Sequence, residues 1–276
     1  MRPLLAVDGD SLAHRAFHAL PSSIRDGQGR TANMVVGFAN MLATLWEMER
    51  PRAVFVGFDT LDVPTYRHEA FAGYQAGRDF PPELTAQLDL LPELVGASGF
   101  ASAKSAGYEA DDFLAAAAAF ETARGGETLV VTSDRDAFQL ASSSVTLLMP
   151  KRGVSELARV GPSDVRERYG VDPAQVPDFV ALRGDPSDRM PGARGVGPAK
   201  AAAVLREFQT LEAALTAGRF SAEADDLRTY LTLARLQADA PLPPLPDAPP
   251  DWAGAASLAE RWGLRRLAER LRARGE

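Results

Sequence analysis

Cysteine is absent from the 276 residues, which excludes disulfides, thiolate nucleophiles and zinc sites built on sulfur. Histidine is nearly absent: with only His14, His18 and His68, a histidine-rich metal site is not expected. Long apolar runs are also missing, since no stretch approaches the roughly 20 residues that cross a bilayer. The first eight residues hold one arginine and a short apolar run before Asp8, too short for a secretory signal. We therefore expect a cytoplasmic protein without a membrane partner. A basic excess is missing too. The formal net charge is −7, which argues against the basic footprint of most nucleic-acid binders. That argument fails if many carboxylates are gathered in one pocket around divalent cations, because the acid is then local and basic residues elsewhere still meet phosphate.

With 46% hydrophobic and 24% charged residues, the chain can bury a core of its own, as one large domain or two smaller ones. Three short runs, 4–7, 53–58 and 128–132, are rich in aliphatic and β-branched residues and read as buried strands. Helical patterns lie between them, notably at 33–49 and 110–124, the latter carrying the alanine run 115–119. Alternation of this kind predicts an α/β fold with a mostly parallel sheet flanked by helices. After about Val171 the strand signal fades and helical segments take over, including 198–208 and 211–217. We expect a core over 1–172 and a helical part over 173–276. Within the latter, the proline-rich stretch 241–250 reads as an extended connector, followed by one basic amphipathic helix over 258–272 whose arginines form a solvated face.

All three strands run into acid, at Asp8, Asp59 and Asp134. In open α/β sheets the ligand crevice lies outside the carboxyl ends of the strands, so these acids are expected on one rim. Further acids come in groups: Glu109, Asp111 and Asp112 at a helix start, Asp134 with Asp136, and Asp185 with Asp188. Glu109 and Asp112 are three apart and share a helix face. Like charges this close repel unless a cation sits between them. Oxygen ligands without His or Cys suit magnesium or manganese, and two such ions can hydrolyse a phosphodiester without a protein nucleophile. Each acid taken alone is more often a helix cap or a turn residue, and the pattern as a whole also fits phosphatases and other magnesium enzymes.

The run Pro191-Gly192-Ala193-Arg194-Gly195-Val196-Gly197-Pro198-Ala199-Lys200 leads into a helix. Gly195 and Gly197 permit close backbone approach, and Pro198 suits a first helical position. N–H groups at such a helix start can cradle a phosphate, helped by Lys200 as a point charge, holding duplex DNA by its backbone without reading sequence. An ordinary helix–helix turn has the same spacing.

Several motifs in chain order resemble the flap endonuclease and 5′-to-3′ exonuclease family, best known as the amino-terminal nuclease of bacterial DNA polymerase I. They are Val7-Asp8-Gly9 through Arg15-Ala16-Phe17-His18-Ala19-Leu20, Phe58-Asp59, Tyr66-Arg67-His68-Glu69-Ala70, Gly107-Tyr108-Glu109-Ala110-Asp111-Asp112, Thr132 to Asp136, and Gly184 through Lys200. The resemblance covers nearly the whole chain. It implies a PIN-like nuclease fold with a helix-three-turn-helix. It also implies one metal site from Asp8, Asp59, Glu109, Asp111 and Asp112, and a second from Asp134, Asp136, Asp185 and Asp188. Two Mg2+ or Mn2+ ions are implied, with K+ at the glycine turn. A gateway over about 66–94 would select a free 5′ end. Arg67, Tyr74, Gln75 and Arg78 of that gateway, with Arg15, Gly195, Gly197 and Lys200, would contact DNA, and Arg78 would also serve catalysis.

The implied partner is DNA with a 5′ flap, overhang or nick, or an RNA–DNA hybrid, cut by a nucleoid-associated monomer that leaves 5′-phosphate and 3′-hydroxyl ends. With no polymerase sequence after Glu276, the expectation is a free-standing nuclease. Two positions depart from the family pattern. Gln75 stands where relatives carry lysine, and Arg189 where an asparagine is usual. Loss of that ammonium removes a group worth a few kcal/mol in the transition state. A flap-binding protein with weakened catalysis, or a ribonuclease of the related PIN-like fold, are the alternatives.

Overall fold

The computed structural model describes residues 2–61, 63–75 and 80–275; Arg78 lies outside the described residues. In chain order the elements are β1 (Leu4–Asp8), α1 (Gly9–Ala19), α2 (Asn33–Glu49), β2 (Ala53–Gly57), α3 (Tyr66–Ala70), α4 (Pro82–Leu88), α5 (Leu91–Ala97), β3 (Ala101–Ala103), α6 (Ala110–Ala123), β4 (Thr128–Val131), β5 (Val145–Arg152), β6 (Glu156–Val160), α7 (Pro162–Tyr169), α8 (Val176–Arg183), α9 (Pro198–Phe208), α10 (Leu211–Thr216), α11 (Ala224–Ala234), α12 (Trp252–Arg261) and α13 (Arg265–Arg272).

The strands form one sheet in the order β3-β2-β1-β4-β5-β6. All neighbours pair parallel except β5 with β6. β1, β2 and β4 are buried at every position, as a parallel sheet covered on both faces requires. The chain leaves β1 toward β2 on one side and returns to β4 on the other, so a crevice opens at the carboxyl ends of β1 and β4. Asp8 and Asp134 stand there.

Two apolar layers sandwich the sheet. One contains Phe113, Phe138, Phe179 and Leu205, and joins α6 to the helices after 171. The other contains Leu12, Phe38, Leu42, Leu258 and Leu267. The last two residues belong to α12 and α13, so these helices pack on the first half of the chain and not with the helical part expected over 173–276. Trp252 sets its ring edge-on to Trp46 and Phe100, with centroids 6.0 and 5.7 Å apart. The connector 241–250 is extended and bound to the core, because Arg52 donates to Leu245 O and Asp247 and accepts Ala248 N–H.

The single helix expected over 258–272 is two. Gly263 has φ +73, and a Cβ there would lie 2.4 Å from Gly27 Cα, while Gly27 N–H donates to Trp262 O. The break therefore needs glycine. On α13, Leu267, Ala268 and Leu271 are buried and the arginines are exposed. Among the described residues no helix is long and apolar enough to cross a membrane.

Candidate active site

The acids of the strand ends converge. Asp8 closes β1 and caps α1, accepting Ser11 N–H at 2.9 Å and the Thr132 hydroxyl at 2.7 Å. Thr132 in turn accepts Asp134 N–H at 3.0 Å, and Asp134 accepts Asp136 N–H at 2.8 Å. Asp59, just after β2, accepts the first N–H of α6, from Ala110, at 2.6 Å. Glu109 precedes α6 and accepts the Thr65 hydroxyl at 2.9 Å and the Tyr74 hydroxyl at 3.0 Å. Local caps and turns orient Asp8 and Asp134, Asp59 and Glu109 are held by groups far away in the chain, and the parallel sheet brings the strand ends together.

A pocket of about 310 Å³ results, lined by Asp8, Asp59, Glu109, Asp111, Asp134, Asp136 and Asp188. Asp10 lines it as well. Its Oδ2 accepts Asp59 N–H at 2.7 Å. Sequence reasoning gave Asp10 no role; the signal was its position in the first turn of the helix that Asp8 caps.

Charge crowding is severe. Burial pushes the Asp8 carboxyl up to about 7, and Asp59 and Asp134 add to the shift. Burial also carries Asp136 well above the usual carboxylate range, reinforced by Asp134, Asp188 and Asp185. For Asp111 the order is burial, then Asp112, Glu109 and Asp134, against the pull of the Arg67 guanidinium. Burial and Asp59 raise Glu109, again opposed by Arg67, and burial and Asp59 raise Asp10. Opposite charge supplied between these groups would reverse the shifts. Among the described residues no three of these side chains close around one point as a finished cage. They ring open space instead, which suits a hard cation that keeps several waters and takes substrate oxygens.

Two of the nine expected ligands stand apart from the pocket wall. Asp185 accepts Ser187 N–H and hydroxyl at 2.8 and 2.5 Å and pairs with Arg183 at 3.2 Å. Asp112 is fully buried. It accepts from Arg67, Tyr66, Glu109 N–H and Gln237 N–H.

Two of the expected DNA contacts, Arg67 and Tyr74, line the pocket but are themselves buried. Arg67 is 1% exposed and pairs with Glu109, Asp111 and Asp112 at 3.1, 3.4 and 3.0 Å. Tyr74 is 4% exposed, with its hydroxyl on Glu109. Gln75, at φ +46, donates from Nε2 to Tyr74 Oη at 2.8 Å and to Asp188 Oδ1 at 3.3 Å, so an amide spans the gap between the two acid groups. Arg15 reaches Ser133 Oγ at 3.0 Å and Pro150 O at 3.2 Å, beside an adjoining cavity it shares with His14, His18 and Phe80. Arg189 is exposed with φ +58, a conformation asparagine adopts more readily than arginine.

The glycine turn is exposed. Gly195 has φ +70 and Gly197 precedes α9, and a Cβ at either would meet nothing. No protein atom therefore demands glycine at Gly197, which leaves its backbone open to approach from outside. Lys200 Nζ donates to Gly195 O at 2.8 Å.

Comparison with known proteins agrees with this architecture. Residues 3–170 match the family model "5'-3' exonuclease, N-terminal resolvase-like domain", and 171–250 match "5'-3' exonuclease, C-terminal SAM fold". The chain is 46% identical over 211 residues to DNA polymerase I of Mycobacterium leprae, covering 76% of this chain and 23% of that one. It is 39% identical over 250 residues to the thermostable DNA polymerase I of Thermus thermophilus, covering 87% and 29%. The chain thus spans about a quarter of the length of these relatives. Among solved structures, the T5 D15 protein co-crystallized with metal ions matches with a TM-score of 0.72 at 18% identity, over 100% of both chains. The catalytic core of Rad2 in complex with DNA substrate matches at 0.60 and 16%, over 98% of this chain and 91% of that one. These two likenesses speak for the fold alone. By its sequence this chain belongs to the 5′-3′ exonuclease family, with the resolvase-like and SAM-fold parts in that order.

Proposed function

We propose that this chain is a structure-specific 5′ nuclease that hydrolyses phosphodiesters of flapped, overhanging or nicked DNA and leaves 5′-phosphate and 3′-hydroxyl ends. The observation that carries the reading is the pocket ringed by eight carboxylates from separate stretches of chain, seven of them expected ligands, with no sulfur or imidazole among the expected ligands. That donor set fits two Mg2+ or Mn2+ ions. Asp8, Asp59, Glu109 and Asp111 would hold one, and Asp134, Asp136 and Asp188, with Asp185 behind them, the other. When bound, such ions lower the pKa of water and stabilise the leaving oxygen. Asp8, Thr132 and Asp134 hold each other in place through one hydroxyl. Arg15 beside the pocket and the open N–H groups of the turn at Gly195 and Gly197 suit phosphates of the duplex, with K+ between the turn and a phosphate as part of the proposal. Action as a monomer, and on RNA–DNA hybrids, belongs to the same proposal; sedimentation and substrate competition test both.

The deciding experiment is cleavage of end-labelled 5′-flap DNA in Mg2+ and in Mn2+, for wild type, Asp136→Ala and Gln75→Lys. Cutting at the junction by wild type, lost in Asp136→Ala, supports the nuclease. A second reading comes from the Gln75 amide in place of an ammonium: a flap-binding protein with weakened catalysis. Wild type that binds the flap in Ca2+ and never cuts it would favour that reading.

A further inference from the structure

Arg67 and Asp112 form a buried, densely bonded polar pair at the back of the acidic pocket. Arg67 has five N–H donors. Nε donates to Leu233 O at 3.0 Å. One terminal nitrogen reaches Asp112 Oδ2 at 3.0 Å and Glu109 Oε2 at 3.1 Å. The other reaches Asp112 Oδ1 at 3.0 Å and Asp111 Oδ1 at 3.4 Å. The guanidinium thus faces three carboxylates and a carbonyl, and the side chain is buried.

Asp112 is filled in the same way. A carboxylate offers about four acceptor positions. Arg67 takes one on each oxygen, Glu109 N–H lies 3.0 Å from Oδ2, Gln237 N–H lies 2.8 Å from Oδ1, and the Tyr66 hydroxyl lies 3.2 Å from Oδ1. A metal ligand needs a lone pair directed at the cation, and Asp112 has none to spare.

We propose that Arg67 and Asp112 are a positioning pair, which neither binds a cation nor touches DNA but fixes the rotamers of Glu109 and Asp111 and ties them to the end of α11. The tie is made by backbone: Leu233 O and Gln237 N–H flank that helix end, and the Tyr66 hydroxyl also lies 3.0 Å from Arg235 O. α11 packs on α8 and α3, so the first acid group is oriented from the helical part that carries the glycine turn. Groups of this kind, bonded behind metal-holding residues, change affinity by roughly 10- to 100-fold when altered without removing the site. The inference rests on the divalent-cation reading above.

The test uses the full chain and counts bound Mn2+ by electron paramagnetic resonance, alongside thermal unfolding in metal-free buffer. Wild type, Asp112→Asn, Asp111→Asn and the milder Tyr66→Phe are compared. If wild type binds no Mn2+, the cation reading itself fails. If wild type binds, we expect Asp112→Asn and Tyr66→Phe to keep the same number of ions with weaker affinity, the former by roughly 10- to 100-fold. We expect Asp111→Asn to lose an ion. Metal-free unfolding separates the roles again. Asp112→Asn leaves a buried guanidinium short of its partner and lowers the midpoint, whereas Asp111→Asn relieves crowding and raises it. Loss of one ion in Asp112→Asn with its metal-free midpoint unchanged or raised would overturn the proposal. Should Asp112→Asn not fold, unchanged Mn2+ affinity in Tyr66→Phe would do the same.

Discussion

The two acid groups facing each other across the pocket are built differently. Glu109, Asp111 and Asp112 share one buried guanidinium and hydroxyls from Thr65, Tyr66 and Tyr74. Asp134 and Asp185 accept turn N–H groups, Asp185 also accepts a serine hydroxyl and pairs with Arg183, and Asp188 accepts from the Gln75 amide. The first group carries much of its neutralising charge inside the fold. The second is held by turns, a serine and an amide, with Arg183 paired to Asp185, and we expect it to answer more strongly to added cation. Loss of the buried Arg67–Asp112 pairing in the first group should therefore fall on stability, and loss of an acid in the second on catalysis.

The largest expected effect tests the second group. Asp136→Ala should reduce flap cleavage by roughly 10³-fold or more, the several kcal/mol associated with a metal-held transition state, while metal-free stability stays level or rises because a crowded acid is gone. Single-turnover cleavage with urea unfolding reads both. A variant that unfolds early but cuts normally would break the comparison. Arg67→Met tests the first group. Removal of one partner of a buried ion network costs about 3–5 kcal/mol; the corresponding Arg183→Met, at a part-exposed pair, should cost about 1 kcal/mol or less. Equal costs in urea unfolding would erase the distinction.

The next effect is on pH. Asp8 titrates near 3.8 in the unfolded chain and about 7 in the fold, so between those values the folded state holds the extra proton. Metal-free stability is then greatest below pH 4 as far as this group is concerned, and falls as pH rises toward 7, with a slope of about 1.4 kcal/mol per unit at most. Saturating Mg2+ should flatten the slope between pH 5 and 7. Thermal melts over that range, with and without Mg2+, read it. An Asp8→Asn variant with the same metal-free slope as wild type would show that Asp8 is not raised.

Much of this was legible in the sequence because local signals suffice for it. α2 and α9 begin and end where periodicity and Pro198 place them, and β1, β2 and β4 announce themselves by unbroken aliphatic runs. β3 carries only Ala101-Ser102-Ala103, without a β-branched residue. β5 contains Pro150, a breaker that sits at a register shift against β6. The split between α12 and α13 depends on the close approach of Gly27 to Gly263, a contact between residues far apart in the chain. The acids show the same limit. Seven of nine line the pocket, but Asp111 and Asp112 are neighbours on a helix and point about 100° apart, and motif matching treats them alike. Arg67 reads as a surface cation until the fold buries it under three carboxylates.

The smallest expected effect addresses the Gln75 amide, which reaches Tyr74 Oη on one side and Asp188 on the other. Gln75→Lys would put an ammonium where Nε2 now lies, near Asp188 and the Tyr74 hydroxyl. Two consequences oppose each other. A cation beside the reacting phosphate stabilises developing charge, and the same cation pairs with Asp188 and competes with a metal for it. At saturating Mg2+ the first should win, with cleavage faster by about tenfold, or about 1.4 kcal/mol of barrier. At limiting Mg2+ the second should dominate, and the Mg2+ concentration for half-maximal rate should rise. A titration of flap cleavage against Mg2+ separates them, because rate and metal requirement then move upward together. If neither moves, the 75 side chain does not reach the reacting phosphate, and the contrast between the two acid groups stands without a bridge between them.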